Sequence, residues 1–171
     1  MLTPSVFAAS VTLNPELRAY ESIMTTVGAH PSFGVITANG WNATDTFVLD
    51  TSGTMTPNSS SSGSKIGNFE QAGSINIAGE SGKQVTVTTN IDHGSNTLFQ
   101  FSELRCKWDG DTEVDCSNAI TKQIGNNVTG GSNVATSVIK VGGKVTLRQQ
   151  QSLSHDNLLD HIALNFNIVY S

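Results

Sequence analysis

Hydrophobic and polar residues alternate along much of this chain with a period of two, which is the pattern of β-strands that bury one face. The clearest example is the C-terminal segment 162–170, where every second residue is large and apolar: Ile162, Leu164, Phe166, Ile168 and Tyr170. The same alternation predicts shorter strands at 22–27, 33–36, 47–49, 74–77, 85–91, 97–101 and 138–147. Turns rich in glycine, asparagine and serine separate these segments, and short strands at this spacing predict an all-β sandwich or barrel.

Three segments predict local departures from regular strands. Gly142 and Gly143 interrupt an otherwise good strand, so we expect a bulge or a tight bend there. The serine-rich segment 54–64 has almost nothing to bury and is predicted to be an exposed, mobile loop. Segment 152–160 contains capping residues and two adjacent leucines, which predict one or two helical turns.

The N-terminal segment 7–19 has the longest alternation, and all of its odd positions are apolar. These are Phe7, Ala9, Val11, Leu13, Pro15, Leu17 and Ala19. Strands average about five or six residues, and another strand-like segment follows closely at 22–27. The segment is therefore either the first strand of the sandwich or an extra strand without an obvious partner. Pro15 has no backbone N–H, so the strand bulges there or leaves that side unpaired.

Composition and charge narrow the range of partners. The chain has 171 residues, a net charge of −5 and 13 % charged residues, and its length is typical of one domain. With only 9 lysines and arginines it is a poor attractor for nucleic acid or an anionic membrane surface, and no apolar run is long enough to span a bilayer. Residues 1–9 are either the remnant of a secretory leader, because 6–8 has the spacing of a cleavage site, or an N-terminal arm.

Cys106 and Cys116 are the only cysteines, and their close spacing in a chain rich in serine, threonine and asparagine predicts one short-loop disulfide. Such a bond is typical of proteins in the periplasm or outside the cell. Between the cysteines lie four alternating carboxylates, which are weak candidates for a calcium site: Asp109, Asp111, Glu113 and Asp115. Their spacing is not that of a calcium loop, and Asp109-Gly110 is a turn signal, so an exposed hairpin tip is the better interpretation.

The sequence contains no recognisable motif for catalysis or cofactor binding. A nucleophile elbow, a phosphate loop, a dinucleotide fingerprint and a paired-cysteine zinc motif are all absent. The one His/Asp cluster consists of His155, Asp156, Asp160 and His161. Adjacency in sequence does not establish catalytic geometry, so we expect no enzyme, no catalytic residue and no cofactor.

Several short motifs, most of them containing glycine, occur in an order that carries a resemblance to a known family. They are PSFGVI at 31–36, FVLDTSG at 47–53, AGSINIAGESG at 72–82, VTV at 85–87, VGGKVTL at 141–147 and FNIVY at 166–170. In this order they resemble the bacterial exported domain-of-unknown-function family numbered 4402, over nearly the whole chain from Ser10. That family resembles chaperone-usher and spore-coat-U-like pilin subunits. Segments 106–116 and 152–160 do not match the family pattern.

The resemblance implies an immunoglobulin-like β-sandwich that is incomplete and is completed by a donor strand. The groove that accepts this strand would lie along the C-terminal strand, at Ile162, Leu164, Phe166, Ile168 and Tyr170. Residues 10–20 are the candidate donor strand, and 21–171 would form the sandwich domain. The apolar face of the donor strand, extended towards the N-terminus, consists of Phe7, Ala9, Val11, Leu13, Leu17 and Ala19. An unpaired sheet edge readily accepts such a strand from a neighbouring molecule.

The function that the resemblance implies is that of a structural subunit in an extracellular bacterial filament, or fimbrium. The chain would polymerise head to tail with itself after export through the periplasm, and a periplasmic chaperone and an outer-membrane usher are the implied partners. The alternative is a monomeric, secreted module that binds carbohydrate or another surface. In that case Trp41 and Trp108 would provide the contacts.

Overall fold

The computed structural model describes residues 22–36, 42–58, 65–94, 99–125, 133–148 and 162–171. In these ranges the regular structure is entirely β, and no helix long and apolar enough to cross a membrane is found in them. The strands are β1 (Met24–Ala29), β2 (Ser32–Ile36), β3 (Thr46–Leu49), β4 (Met55–Asn58), β5 (Lys65–Gln71), β6 (Gly73–Glu80), β7 (Gln84–Asp92), β8 (Phe99–Trp108), β9 (Val114–Asp115), β10 (Ile120–Gln123), β11 (Val134–Leu147) and β12 (Ala163–Tyr170).

Strand β11 organises the largest sheet because it pairs with neighbours along both of its edges. On one edge, residues 134–141 pair with β6 and residues 143–146 pair with β3. On the other edge, residues 139–147 pair with β8. Strands β1, β4 and β9 pair with β6, β3 and β8 respectively, and all of these pairings are antiparallel. The result is a seven-stranded sheet.

The remaining strands form two smaller antiparallel sheets. Strand β7 lies between β10 and β12 in a three-stranded sheet, and β2 pairs with β5 in a two-stranded sheet. The register of β12 against β7 is continuous from Ala163, opposite Asp92, to Tyr170, opposite Val85. Strand β12 is therefore an edge strand of its sheet within the described residues.

The hydrophobic core lies between the seven-stranded and the three-stranded sheets. Ile77, Leu104 and Ile139 of the larger sheet and Val85 and Val87 of β7 are fully buried in one cluster. The alternation in the sequence explains this burial, because successive residues of a strand point to opposite faces of the sheet. The residues between the buried valines of β7 and beyond them are partly or fully exposed.

The period-two pattern predicted most of the strands correctly. The all-β prediction is confirmed, and β1, β2, β3, β6, β7, β8, β11 and β12 overlap the predicted segments. The predicted turn at Asp109-Gly110 also forms. The N-terminal residues 1–9, the candidate donor strand at 10–20 and the predicted helical turns at 152–160 lie outside the described residues.

The bulge or bend predicted at residues 142–143 is found in the pairing but not in the strand itself, because β11 runs unbroken from Val134 to Leu147 and the bulge lies on its partner. The register of β11 against β8 shifts between Gly142 and Lys144, and the extra residue lies on β8 near Glu103, whose φ is +49°. At this point the neighbour of β11 changes from β6 to β3. Glycine is required for the close approach, because a Cβ atom on Gly142 would lie 2.9 Å from the carbonyl carbon of Asp50.

The prediction that segment 54–64 is an exposed loop is wrong in its first part. Residues Met55–Asn58 form β4 and pair with β3, with Met55 opposite Leu49. The side chain of Met55 is 3 % exposed. A single buried methionine among serines and threonines is a weak hydrophobic pattern, and the pairing with β3 overrides the low strand propensity of the segment.

The turn from β3 to β4 depends on the carboxylate of Asp50. Its Oδ1 accepts hydrogen bonds from the N–H and the hydroxyl of Ser52, at 2.9 and 2.6 Å, and from the N–H of Thr54 at 2.9 Å. Burial raises the pKa of Asp50, but these hydrogen bonds and one from the N–H of Gly53 outweigh it. The pKa therefore lies below its ordinary value of 3.8. A short acidic side chain that bonds the backbone ahead of it is typical of tight turns.

Replacing Gly142 with alanine should strain the junction of β11 with β3. We expect Gly142→Ala to lower the free energy of unfolding by about 1–3 kcal/mol, because backbone atoms cannot move aside for the new methyl group. Urea denaturation of the oxidised protein measures the change. Gly110→Ala is the control, since nothing lies within 4 Å of a Cβ at that position, and it should change stability by less than about 0.5 kcal/mol. Equal effects of both substitutions would contradict this account of the junction.

The Asp50 turn should make stability depend on pH. Because the pKa of Asp50 is lower in the folded protein, its contribution is complete above the ordinary pKa and is lost as the pH falls through the folded pKa. We expect Asp50→Ala to destabilise the protein by about 1 kcal/mol near neutral pH and by progressively less below pH 3.8. Urea denaturation of both proteins between neutral and acidic pH tests this. A difference that stays constant with pH would show that the charged carboxylate is not responsible.

Candidate functional site

An open groove lies between the edge strands of the two main sheets. Within the described residues, β12 pairs with β7 on one edge only and β1 pairs with β6 on one edge only. The groove between their other edges has a volume of about 990 Å³. Strand β1 begins and β12 ends at the same end of the groove, so the two strands run in opposite directions along it.

One wall of the groove consists of the apolar face of β12 and of Ile162, the residue before it. Ile162, Leu164, Phe166 and Ile168 line it, and each is only half-buried although it faces inward. These are four of the five residues that the sequence predicted for an acceptor strand, and the structure brings them to one face. Their incomplete burial leaves apolar surface that another side chain can cover.

The other wall is the edge of β1, and the floor belongs to the large sheet. Thr25, Val27 and Ala29 line the groove from β1, and Val27 is 62 % exposed. Phe101 and Val145, which are buried core residues of β8 and β11, form part of the floor. The sequence analysis did not find these residues, because their meeting depends on which strands pair. An exposed valine in a strand is a common feature and gives no signal on its own.

Tyr170 closes one end of the groove. Its hydroxyl accepts a hydrogen bond of 2.7 Å from the backbone N–H of Glu80, at the end of β6. Gly79 allows this approach, because a Cβ atom there would lie 2.9 Å from the tyrosine oxygen. Strand β1 begins at Met24, opposite Ala78. Glu80 lies beyond this point, and its N–H bonds to the hydroxyl of Tyr170. Tyr170, the fifth predicted acceptor residue, thus joins the two sheets.

Aromatic side chains lie at the other end of the groove. The rings of Phe33 and Phe101 meet edge to face, with centroids 6.0 Å apart, and Phe99 also lines this region. Among the described residues that line the groove, His30 has the only titratable side chain. A long apolar channel bounded by two strand edges fits an extended peptide, which can form backbone hydrogen bonds and insert alternate side chains.

The disulfide hairpin lies away from this groove. Cys106 and Cys116 are bonded, which confirms the prediction, and both are fully buried. Trp108 is 4 % exposed and packs in the core beneath the hairpin tip. The expectation that Trp108 serves as a surface contact for carbohydrate is therefore wrong, because its strand turns the ring inward. Trp41 lies outside the described residues.

The four carboxylates of the hairpin bond to protein groups. Asp109 accepts from the N–H of Val138 at 2.7 Å, and Asp111 pairs with Lys122 at 2.6 Å. In the part of the chain that the structure describes, no group of three or more His, Cys, Asp or Glu residues could hold a metal ion.

Of the other two carboxylates, Glu113 connects separate segments of the chain and Asp115 bonds within its own turn. Glu113 pairs with Arg105 at 3.1 Å and accepts from the N–H and hydroxyl of Thr51 at 3.0 and 2.9 Å. Hydrogen bonds from the backbone N–H and the side chain of Ser117, with a smaller contribution from the charge of Arg105, hold the pKa of Asp115 below its ordinary value. Asp109, Asp111 and Glu113 thus fix the hairpin against neighbouring segments.

Comparisons with protein-family models, with curated proteins and with solved structures found no match for this chain. The resemblance to the exported family numbered 4402 therefore stays a prediction. The His/Asp cluster at 155–161 and the predicted donor residues lie in parts of the chain that are not described.

Removing the hydroxyl of Tyr170 should weaken the closed end of the groove. We expect Tyr170→Phe to lower the free energy of unfolding by about 1 kcal/mol, because the N–H of Glu80 loses its partner. The control is Ser171→Ala, which removes an exposed hydroxyl bonded to Thr86 at 2.6 Å and should cost less than about 0.5 kcal/mol. Denaturation in urea measures both. If Tyr170→Phe is as stable as the wild type, the hydrogen bond contributes nothing.

Proposed function

We propose that this chain is a pilin-like structural subunit of an extracellular bacterial filament. In this proposal, each subunit leaves its groove open and the N-terminal strand of a neighbouring copy fills it. The role is mechanical, and neither catalysis nor a cofactor is involved. The observation that carries the proposal is the largely apolar groove between β1 and β12, whose facing edges pair with no other strand within the described residues.

The order of the strands supports an immunoglobulin-like sandwich that lacks its last strand. A constant-type immunoglobulin domain has strands A, B, E and D in one sheet and C, F and G in the other. Here β1, β6, β11 and β8 are neighbours in this order in the large sheet, and β7 pairs with β12 in the second sheet. Their order along the chain also corresponds to A to F. The position of strand G, beside β12, coincides with the groove.

The N-terminal segment has the properties that this position requires. A strand beside β12 must present one apolar face to the groove and offer backbone groups to a strand edge. Segment 7–19 provides alternate apolar residues over a length that exceeds an average strand. When each molecule donates a strand to the next, the contact is head to tail. Such a contact need not close into a ring and can generate a fibre.

The disulfide is consistent with the proposed location outside the cytoplasm. Bonds of this kind persist in oxidising compartments, which include the periplasm and the cell exterior. We propose export through the periplasm and assembly at the cell surface. An open apolar groove is prone to unspecific association, so a periplasmic chaperone that covers it and an outer-membrane usher are the partners we propose for assembly.

Two exposed residues of β1 provide a matched test. Val27 and Met24 are 62 % and 61 % exposed, but only Val27 lines the groove. We expect Val27→Asp to abolish multimers of the oxidised full chain, because an unpaired carboxylate would be buried beside the donor strand. Met24→Asp should leave assembly unchanged. Size-exclusion chromatography with light scattering, negative-stain microscopy and gels of unboiled samples measure assembly.

Circular dichroism must show that both variants keep the wild-type fold. Fibres or multimers for the wild type and Met24→Asp, together with a monomer for Val27→Asp, support the proposal. A wild-type chain that stays monomeric at high concentration contradicts it, and so does undiminished assembly of Val27→Asp.

A further inference from the structure

We propose that residues 7–13 of a second copy, rather than the whole segment 7–19, form the strand that enters the groove. This assignment rests on the proposed function and specifies which part of the N-terminal segment inserts. It follows from the length of the apolar wall, from the closed end at Tyr170 and from the position of Pro15.

The groove has room for a strand of limited length. The wall formed by β12 and the residue before it extends from Ile162 to Ile168 and contains four inward side chains, a distance of about 20 Å in a strand. Beyond Ile168 the hydrogen bond between Tyr170 and Glu80 joins the sheets. An inserted strand therefore ends before this bond and matches the four apolar side chains of the wall with four of its own.

The wall from Ile162 to Ile168 spans seven positions. Four seven-residue windows of segment 7–19 likewise contain four alternating apolar residues each. They are 7–13, 9–15, 11–17 and 13–19. The last three all include Pro15, which cannot donate a hydrogen bond to a neighbouring strand. A strand between β1 and β12 has a pairing partner on both sides. Every backbone N–H of that strand therefore faces a neighbouring strand, and a proline in it would cost a hydrogen bond. Only 7–13 provides a complete set of backbone donors, and it also contains Phe7, the largest side chain of the alternating face.

Residues 14–23 then connect the inserted strand to β1 of its own molecule. Fully extended, they reach at most about 33–36 Å, which exceeds the length of the groove. In this arrangement Pro15 lies in the connection, where it needs no hydrogen-bond partner and restricts the chain. Insertion of 13–19 would leave only residues 20–23 between two folded subunits.

Aspartate substitutions along the segment test the assignment in the oxidised full chain. We expect Phe7→Asp to reduce the multimer fraction at a fixed concentration at least about tenfold, because the groove does not solvate a carboxylate. Leu17→Asp and Thr12→Asp should leave it unchanged, since Leu17 lies in the connection and Thr12 on the polar face. Val11→Asp tests insertion itself, because Val11 lies in three of the four windows.

The pattern of outcomes separates the assignment from the proposed function. Loss of assembly with Leu17→Asp but not with Phe7→Asp overturns the assignment and leaves donor-strand exchange intact. If Val11→Asp, Phe7→Asp and Leu17→Asp all assemble like the wild type, both proposals fail. Mass spectrometry of the assembled protein must also find Phe7, and an N-terminus after residue 8 overturns the assignment.

Synthetic peptides provide a measurement that does not depend on the folding of any variant. A labelled peptide of residues 6–14, added in excess to the full chain, should bind and shorten the multimers. A peptide of residues 12–20 and a 6–14 peptide carrying Val11→Asp should do neither. Binding of the 12–20 peptide in preference to 6–14 overturns the assignment.

Discussion

The pairing of β11 along both of its edges is the constraint on which the rest of the structure depends. One strand joins β6 and β3 on one side to β8 on the other, so most of the large sheet is arranged by its register. Gly142 permits the change of neighbour from β6 to β3 within a single strand. Because β6 is held against β11, β1 is the outer strand of the sheet as far as the chain is described, and it faces β12 across the groove.

The groove combines two properties that favour an extended peptide over a small ligand. Its walls end in strand edges, which present backbone donors and acceptors at regular intervals. Its lining is mostly apolar, with half-buried side chains on β12 and exposed Val27 on β1. A strand satisfies both at once, because its backbone pairs with the edges while its alternate side chains fill the channel.

The sequence was most informative where burial alternates, and least informative about long-range pairing. Eight strands, the irregular pairing opposite Gly142 and Gly143 and the disulfide followed from local patterns. Met55 was missed because one buried residue among polar ones does not produce a period. The apolar face of β12 was predicted, but the groove wall at Val27 was not. The position of Val27 depends on which strands lie at the edges of the sheets. The inward orientation of Trp108 was equally undetermined by composition.

The hydroxyl of Tyr170 also has a mechanical consequence. It attaches the C-terminal end of β12 to β6, in the opposite sheet. A pulling force at this end is therefore shared with the ladder between β6 and β11, instead of opening the pairing of β12 with β7 one bond at a time. If the chain forms the proposed fibre, this attachment would protect β12 from peeling at its C-terminal end under tension.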